Sequence, residues 1–367
     1  MSTAPIIWHG FPRAPDLDPL QRFQCPPNRS SSSTRIIEAM LRREFLAGMA
    51  CALAKGAQAP YRVDVHHHLF PPAYRAAIGN QAAAMPAWSP AQSIEEMDKG
   101  GIATSILSLS SPGVWFGEAE QARRLSRIVN EYGAMTAKEH PGRFGLFAVL
   151  PLPDIDGSLR EIEYALDTLK ADGIGLLTSY GDKWLGDKAF APIWAELNRR
   201  KAVIYTHPTT AACCGSLHNE VPAVMIEWAT DTTRTTASLL FSGTAARYPD
   251  IRWILSHAGG TVPFLLSRFV YQEATMKGKE QVLPKGLMYE LKKFYYDTAQ
   301  GNSAPALAAL LKVAPPSQIL FGTDYPFRTS AEEIGGLTAQ RFPAKDLRGI
   351  ERDNALRLLP ELSKTLG

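Results

Sequence analysis

Val63-Asp64-Val65-His66-His67-His68 sets three imidazoles in succession at the end of a β-branched run. Alternate side chains of an extended strand share a face, so His66 and His68 project together while His67 points away. Two imidazoles so spaced make half a site for a divalent metal. Alone, such a cluster is a weak signal, because a short histidine run can be surface decoration. Three later segments change its weight, because each is a short apolar run closed by a polar residue. Residues 202–206 end in His207-Pro208, residues 251–256 in His257-Ala258-Gly259-Gly260, and residues 319–323 in Asp324-Tyr325-Pro326. One histidine after one strand is usually structural. Three imidazoles, a carboxylate and a spare histidine, all at strand ends, suit a catalytic zinc or similar ion with an open coordination position.

The elements that must carry these residues follow from the same runs. Strands are predicted at 61–66, 103–109, 145–150, 173–177, 202–206, 251–256, 294–298 and 318–323, with helices between them, for example 120–140, 158–172 and 192–201. Short apolar runs bounded by turn residues read as buried parallel strands, and Pro141-Gly142 is a firm helix stop. Eight such β-α repeats predict an α/β fold of the (β/α)₈ TIM-barrel kind. An open doubly wound sheet is the alternative, but no G-x-G-x-x-G follows the first strand, so dinucleotide binding has no support. Barrel active sites lie at the C-terminal strand ends. His66, His68, His207, His257 and Asp324 all fall at such ends, on strands one, five, six and eight.

Composition bounds the remaining classes. The chain has 367 residues, 45% hydrophobic and 20% charged, with a net charge of +3, too mild to call for nucleic acid or an anionic membrane. Residues 1–39 read as a Pro- and Ser-rich disordered extension. Residues 40–59 resemble a twin-arginine export signal: Arg42-Arg43, Phe45-Leu46, a small apolar stretch and Ala57-Gln58-Ala59. The folded domain is then 60–367. A working signal implies the periplasm and its failure the cytoplasm; against it, 39 residues precede Met40, which is itself a candidate start. Four cysteines, Cys25, Cys51 and the adjacent Cys213 and Cys214, show no C-x-x-C spacing and fit neither a disulfide framework nor a zinc site.

The motifs Val-Asp-Val-His-His-His, Thr-His-Pro, Leu-Ser-His-Ala-Gly-Gly and Phe-Gly-Thr-Asp-Tyr-Pro resemble the amidohydrolase superfamily. More narrowly they resemble its aminocarboxymuconate-semialdehyde decarboxylase-like branch. Segments 97–113 and Asp231-Thr232-Thr233-Arg234 are most similar to the 6-methylsalicylate decarboxylases within it. The resemblance covers about residues 61 to 360. It implies one divalent metal, zinc or else manganese, held by His66, His68, His207 and Asp324, with His257 beside it. It also implies a small aromatic carboxylate substrate, and the branch commonly forms homodimers. No lysine ends strand four (Leu176-Leu177-Thr178) to bridge a second ion by carbamylation.

Decarboxylation of an ortho-hydroxybenzoate needs a proton delivered to the ring carbon that bears the carboxylate, and His257 and Asp324 are the two candidate acids. An apolar pocket is needed around the ring. Trp115, Phe116, Tyr180, Trp184 and Phe327 fall in loops on the active-site side, each equally readable as loop packing. Arg234 reads either as a carboxylate clamp or as an ion-pair partner of Asp231. Asp297 reads as a buried hydrogen-bonding anchor, or as the carboxylate that orients a ligand histidine. The rival readings are a metal-dependent hydrolase of a lactone or amide with the same metal residues, and a non-catalytic metal-binding protein with a blocked pocket.

Overall fold

A computed structural model describes residues 61–214 and 220–365. The expected disordered extension, the twin-arginine segment, Cys25 and Cys51 lie outside the described residues. Eight strands form one parallel sheet in strict chain order: β1 (Arg62–His68), β2 (Ile102–Ser108), β3 (Phe144–Val149), β4 (Gly173–Leu177), β5 (Val203–His207), β6 (Arg252–Leu255), β7 (Tyr295–Asp297) and β8 (Ile319–Leu320). Parallel neighbours need crossovers, and helices supply them. Among these are α1 (Ala119–Glu139), α2 (Ile155–Glu163), α3 (Ala191–Arg199), α4 (Ala223–Phe241), α5 (Val262–Thr275), α6 (Ala304–Val313) and α7 (Ser330–Ala339). Among the described residues no helix is long and apolar enough to cross a membrane.

The strand runs are apolar on both faces because both faces are covered. Val63, Val65, Ile106, Phe147, Tyr205, Ile254 and Leu320 fill the barrel interior as one cluster. Trp194, Trp253, Ile174 and Ile204 belong to the larger cluster between sheet and helices. This is the layered core of a closed barrel.

The eighth strand is shorter than predicted. After Leu320 the chain leaves the ladder but still bonds to β1: Val65 N donates to Phe321 O at 3.0 Å, Asp324 N to His66 O at 2.8 Å, and His68 N to Tyr325 O at 2.8 Å. Asp64 stitches the same seam. Its carboxylate accepts from His66 N and Thr323 N, both at 3.0 Å, and from Thr323 Oγ1 at 2.6 Å. From the other side, Asn354 Nδ2 donates to Ile319 O at 2.8 Å. Closure thus rests on irregular backbone bonds together with these side chains, and it sets Asp324 against His66 and His68. The helix expected at 158–172 ends earlier as α2 and continues as a wider turn, Tyr164–Thr168.

Candidate active site

His66 and His68 point into the top of the barrel, as their spacing predicts. His67 turns away and is satisfied in the core by Asp64 at 3.0 Å and Ser93 Oγ at 2.9 Å, stacked on Tyr325. His207 ends β5. His66, His68, His207 and Asp324 are all buried, and one ligand atom from each lies within 4.8 Å of the others.

Hydrogen bonds at the far ring nitrogens set the tautomers. His66 Nδ1 donates to Asp297 Oδ2 at 2.9 Å, His68 Nδ1 to Ser108 O at 3.2 Å, and His207 Nδ1 to Pro208 O at 2.8 Å. Each Nε2 therefore presents a lone pair to the centre. His66 Nε2 lies 3.2 Å from His68 Nε2, and Asp324 Oδ1 is 3.2 Å from the first and 3.0 Å from the second. His207 Nε2 is buried with no hydrogen-bond partner. Convergent lone pairs and a buried carboxylate repel one another unless a cation sits among them. The donor set of three imidazoles and a carboxylate fits a single divalent ion.

The protonation tendencies of the ion-free site are uneven. Burial, with the neighbouring imidazoles, holds His207 well below its ordinary value, the neutral form a metal needs. Burial opposes charge on His66 as well, yet Asp297 and Asp324 raise it to about 10. Burial works against the Asp324 carboxylate too, but His66, His257 and His68 hold it well below the usual carboxylate range.

Asp324 uses both oxygens. Oδ1 faces the histidines, whereas Oδ2 accepts a hydrogen bond from Gln300 Nε2 and lies 3.5 Å from His257 Nε2. Asp297 likewise does two jobs. Besides orienting His66, its Oδ1 accepts from His257 N at 2.9 Å and Ala299 N at 3.1 Å. The two readings of Asp297 are therefore one arrangement. Four non-glycine residues here have left-handed backbone, His257 (φ 53°), Ala258 (φ 56°), Gln300 (φ 51°) and Asp324 (φ 61°). Such strain clusters at functional sites. The turn after β6 admits no side chain at Gly260, where an added Cβ would meet Ala229 O at 2.2 Å.

A cavity of about 540 Å³ opens beside Asp324, walled by Met85, Pro112, Val224, Trp228 and Phe327, with Gln81, Ser111, Gln300 and Arg328 as its polar members. A neighbouring cavity of about 460 Å³ shares Val224, Trp228 and Gln300 and reaches His257. The access to the centre is open, which removes the blocked pocket required of a non-catalytic metal binder. Phe327 is a wall, edge-on to His68 at 5.7 Å. The other expected substrate contacts are not brought together with it. Tyr180 and Trp184 form a two-stranded hairpin, Ser179–Tyr180 with Lys183–Trp184, folded back on the barrel. Tyr180 Oη accepts from Leu177 N at 3.0 Å, and Trp184 Nε1 donates to Asp231 Oδ1 at 2.6 Å. Thr178 and Ser179 satisfy the rest of Asp231, so the expected Asp231–Arg234 pair is replaced by a buried capping network. Arg234 is exposed, with its guanidinium 5.5 Å from the Trp184 ring centre, and lines neither cavity. Trp115 is half-buried outside both cavities, and Phe116 packs against the core. Trp228, Gln300, Met85 and Arg328 were missed. None of them closes an apolar strand run, although Gln300 stands three residues past Asp297 and Arg328 four past Asp324.

Comparison with known proteins fits this geometry. The amidohydrolase family profile matches residues 63–360. Decarboxylase macB of Penicillium terrestre is 36% identical over 324 residues, covering 82% of this chain and 95% of that protein. The 6-methylsalicylic acid decarboxylase of Penicillium expansum is 35% identical over 317 residues, covering 83% and 98%. A crystal structure of 2,6-dihydroxybenzoate decarboxylase complexed with 2,6-dihydroxybenzoate shares the fold at a TM-score of 0.72, with 23% identity, 83% of this chain and 100% of that one. The chain belongs to the amidohydrolase family and, within it, to the aminocarboxymuconate-semialdehyde decarboxylase-like branch.

Proposed function

We propose that the protein is a metal-dependent, non-oxidative decarboxylase of an ortho-hydroxybenzoate, of the salicylate or 6-methylsalicylate type. The observation that carries this reading is the convergence of three Nε2 lone pairs and Asp324 Oδ1 at the edge of an apolar-walled cavity. The names of relatives 35% and 36% identical over most of the chain support it. A divalent ion held by His66, His68, His207 and Asp324, zinc in this reading with manganese as the alternative, would accept the substrate's carboxylate and phenolic oxygens and act as the electron sink.

The chain's own residues do the rest. Asp297 holds His66 in the tautomer that offers Nε2 inward. Gln300 ties Asp324 Oδ2 toward His257. His257 Nε2 and Asp324 Oδ2, 3.5 Å apart, are the two groups that deliver a proton to the ring carbon bearing the carboxylate; CO₂ then leaves and aromaticity returns. Met85, Pro112, Val224, Trp228 and Phe327 exclude water from the ring. Arg328, at the polar side of the cavity, is the cation that meets the incoming carboxylate, the role expected of Arg234.

The test is CO₂ release from a panel of ortho-hydroxybenzoates, salicylate and 6-methylsalicylate included, by the metal-loaded protein, with Asp324→Asn as control. Release by the wild type and not by the variant is the expected result. Ring opening of lactones or hydrolysis of amides with no CO₂ from any acid would transfer the assignment to the hydrolase reading.

A further inference from the structure

The two cavities at the top of the barrel share the walls Val224, Trp228 and Gln300; the first ends at Asp324 and the second reaches His257. The first, at about 540 Å³, already lies in the range of about 300–1,000 Å³ that houses a drug-sized ligand. A single ring bearing a carboxylate, a hydroxyl and a methyl group therefore needs nothing of the second, about 460 Å³.

That second cavity is apolar. Three helices line it, with Met225 from α4, Phe264 from α5 and Ala306 and Ala309 from α6, and no carboxylate, lysine or arginine is among its lining residues. Ala306 and Ala309 stand three apart, so they share one face of α6, and their methyl groups leave open a space that longer side chains would fill. On the open side Phe264 is 86% exposed, Met225 69% and Val224 44%. Large apolar side chains left together in water mark a surface that an apolar ligand or partner covers. The space runs from these side chains inward to His257, so what fills it is thin and tied to the reacting ring.

The orientation of that ring rests on the decarboxylase reading. With the carboxylate and phenolic oxygen turned to the metal centre and the proton arriving from the His257 side, the carbon bearing the carboxylate faces His257. Of its two ring neighbours, one carries the hydroxyl and is turned to the centre. The other, C6, meets the mouth of the second cavity. We propose that the substrate is a 6-alkylsalicylate with a linear chain of several carbons, and that the chain lies in the second cavity against Met225, Phe264 and Ala309. The ring and its polar groups stay in the first. A second copy of this chain is the competing occupant of the exposed face.

The experiment takes the full-length, metal-loaded protein and a series of 6-alkylsalicylates from methyl through propyl to pentyl, and reads kcat/KM by CO₂ release. In parallel, calorimetry reads the affinity of the matching 3-alkyl-2-nitrophenols, in which a planar nitro group replaces the carboxylate and no CO₂ can leave. Both quantities should rise about fourfold per added methylene, the gain expected for burying one. Ala309→Trp should bring the pentyl-to-methyl ratio close to unity in both. Met225→Asp, at an exposed position, should lower the same ratio without asking the core to take a larger side chain. Turnover of the methyl member with a flat or falling series in both readouts would overturn the proposal, and so would a chain-length gain that survives Ala309→Trp. A flat series in a dimer that Met225→Asp dissociates would give the face to a second copy instead. No CO₂ from any acid, with nitrophenol affinity still rising with chain length and levelled by Ala309→Trp, would overturn the decarboxylase reading while supporting the second cavity as the seat of the chain.

Discussion

Asp297 shows how much of the centre depends on a residue that offers it no ligand atom. Its carboxylate fixes the His66 ring from one oxygen and the His257 backbone from the other. Asp297→Asn keeps an acceptor for the two backbone amides but weakens the hold on His66 Nδ1. The expected outcome is a loss of about 10–100-fold in metal affinity with the fold intact, read by metal titration and circular dichroism. The ligand residues were legible in the chain because each ends an apolar strand, where parallel-strand pattern and chemistry coincide. Gln300 was not. It is one amide in a loop, and only the approach of β7 and β8 brings its Nε2 onto Asp324. Arg234 lies outside both cavities for a related reason. A helix tells which residues are neighbours along its surface, but here Asp231 was taken by Thr178, Ser179 and Trp184 of another loop.

Among the elements, the seam between β1 and β8 decides the site. Gly322 sits where the departing chain crosses His66, and an added Cβ there would lie 2.8 Å from His66 Cβ and 3.2 Å from Asp297 Cβ. Gly322→Ala therefore wedges the ligand from its orienting carboxylate. We expect a stability cost of about 1–3 kcal/mol in denaturant melts and sub-stoichiometric metal by elemental analysis. Full metal content in that variant would mean the seam yields elsewhere. Seven of the eight strands lie within two residues of the runs that predicted them. The eighth is the exception because its last residues are held by Asp64, Asn354 and backbone groups outside the ladder, which hydrophobic period does not register.

At the scale of the whole molecule, metal and fold are linked. Buried nitrogens and a carboxylate that converge on one point become ligands when the ion binds, so its removal by chelator should lower the melting temperature. The gap should widen with metal concentration, reaching about 2.7 kcal/mol at a hundredfold excess over Kd, and His207→Ala should erase it. A second dependence comes from Glu333 on α7, buried at 3% exposure and bonded to Gln300 N at 3.2 Å and Asn302 Nδ2 at 2.6 Å. Burial, opposed by the Gln300 amide, pushes its carboxyl from an ordinary 4.5 up to about 8. Between those values the folded chain holds a proton that the unfolded chain has released, so protonation favours folding and stability falls as pH rises through that window. Glu333→Gln should flatten this part of the profile in metal-free protein, as a difference between the two stability-versus-pH curves. An unchanged slope would show that Glu333 does not titrate there.

Local pattern was sufficient for the barrel, the order of its strands and the five polar residues at their ends, because strand period and strand termini are properties of short stretches of chain. Which nitrogen of each histidine faces inward, which aromatic rings wall the cavity and which arginine reaches it were settled by folding. Those depend on loops from distant strands meeting at one end of the barrel, where Trp184 was drawn to Asp231 and Trp228 to His207. Contacts between residues far apart in sequence have no period, and so leave no local mark in the chain.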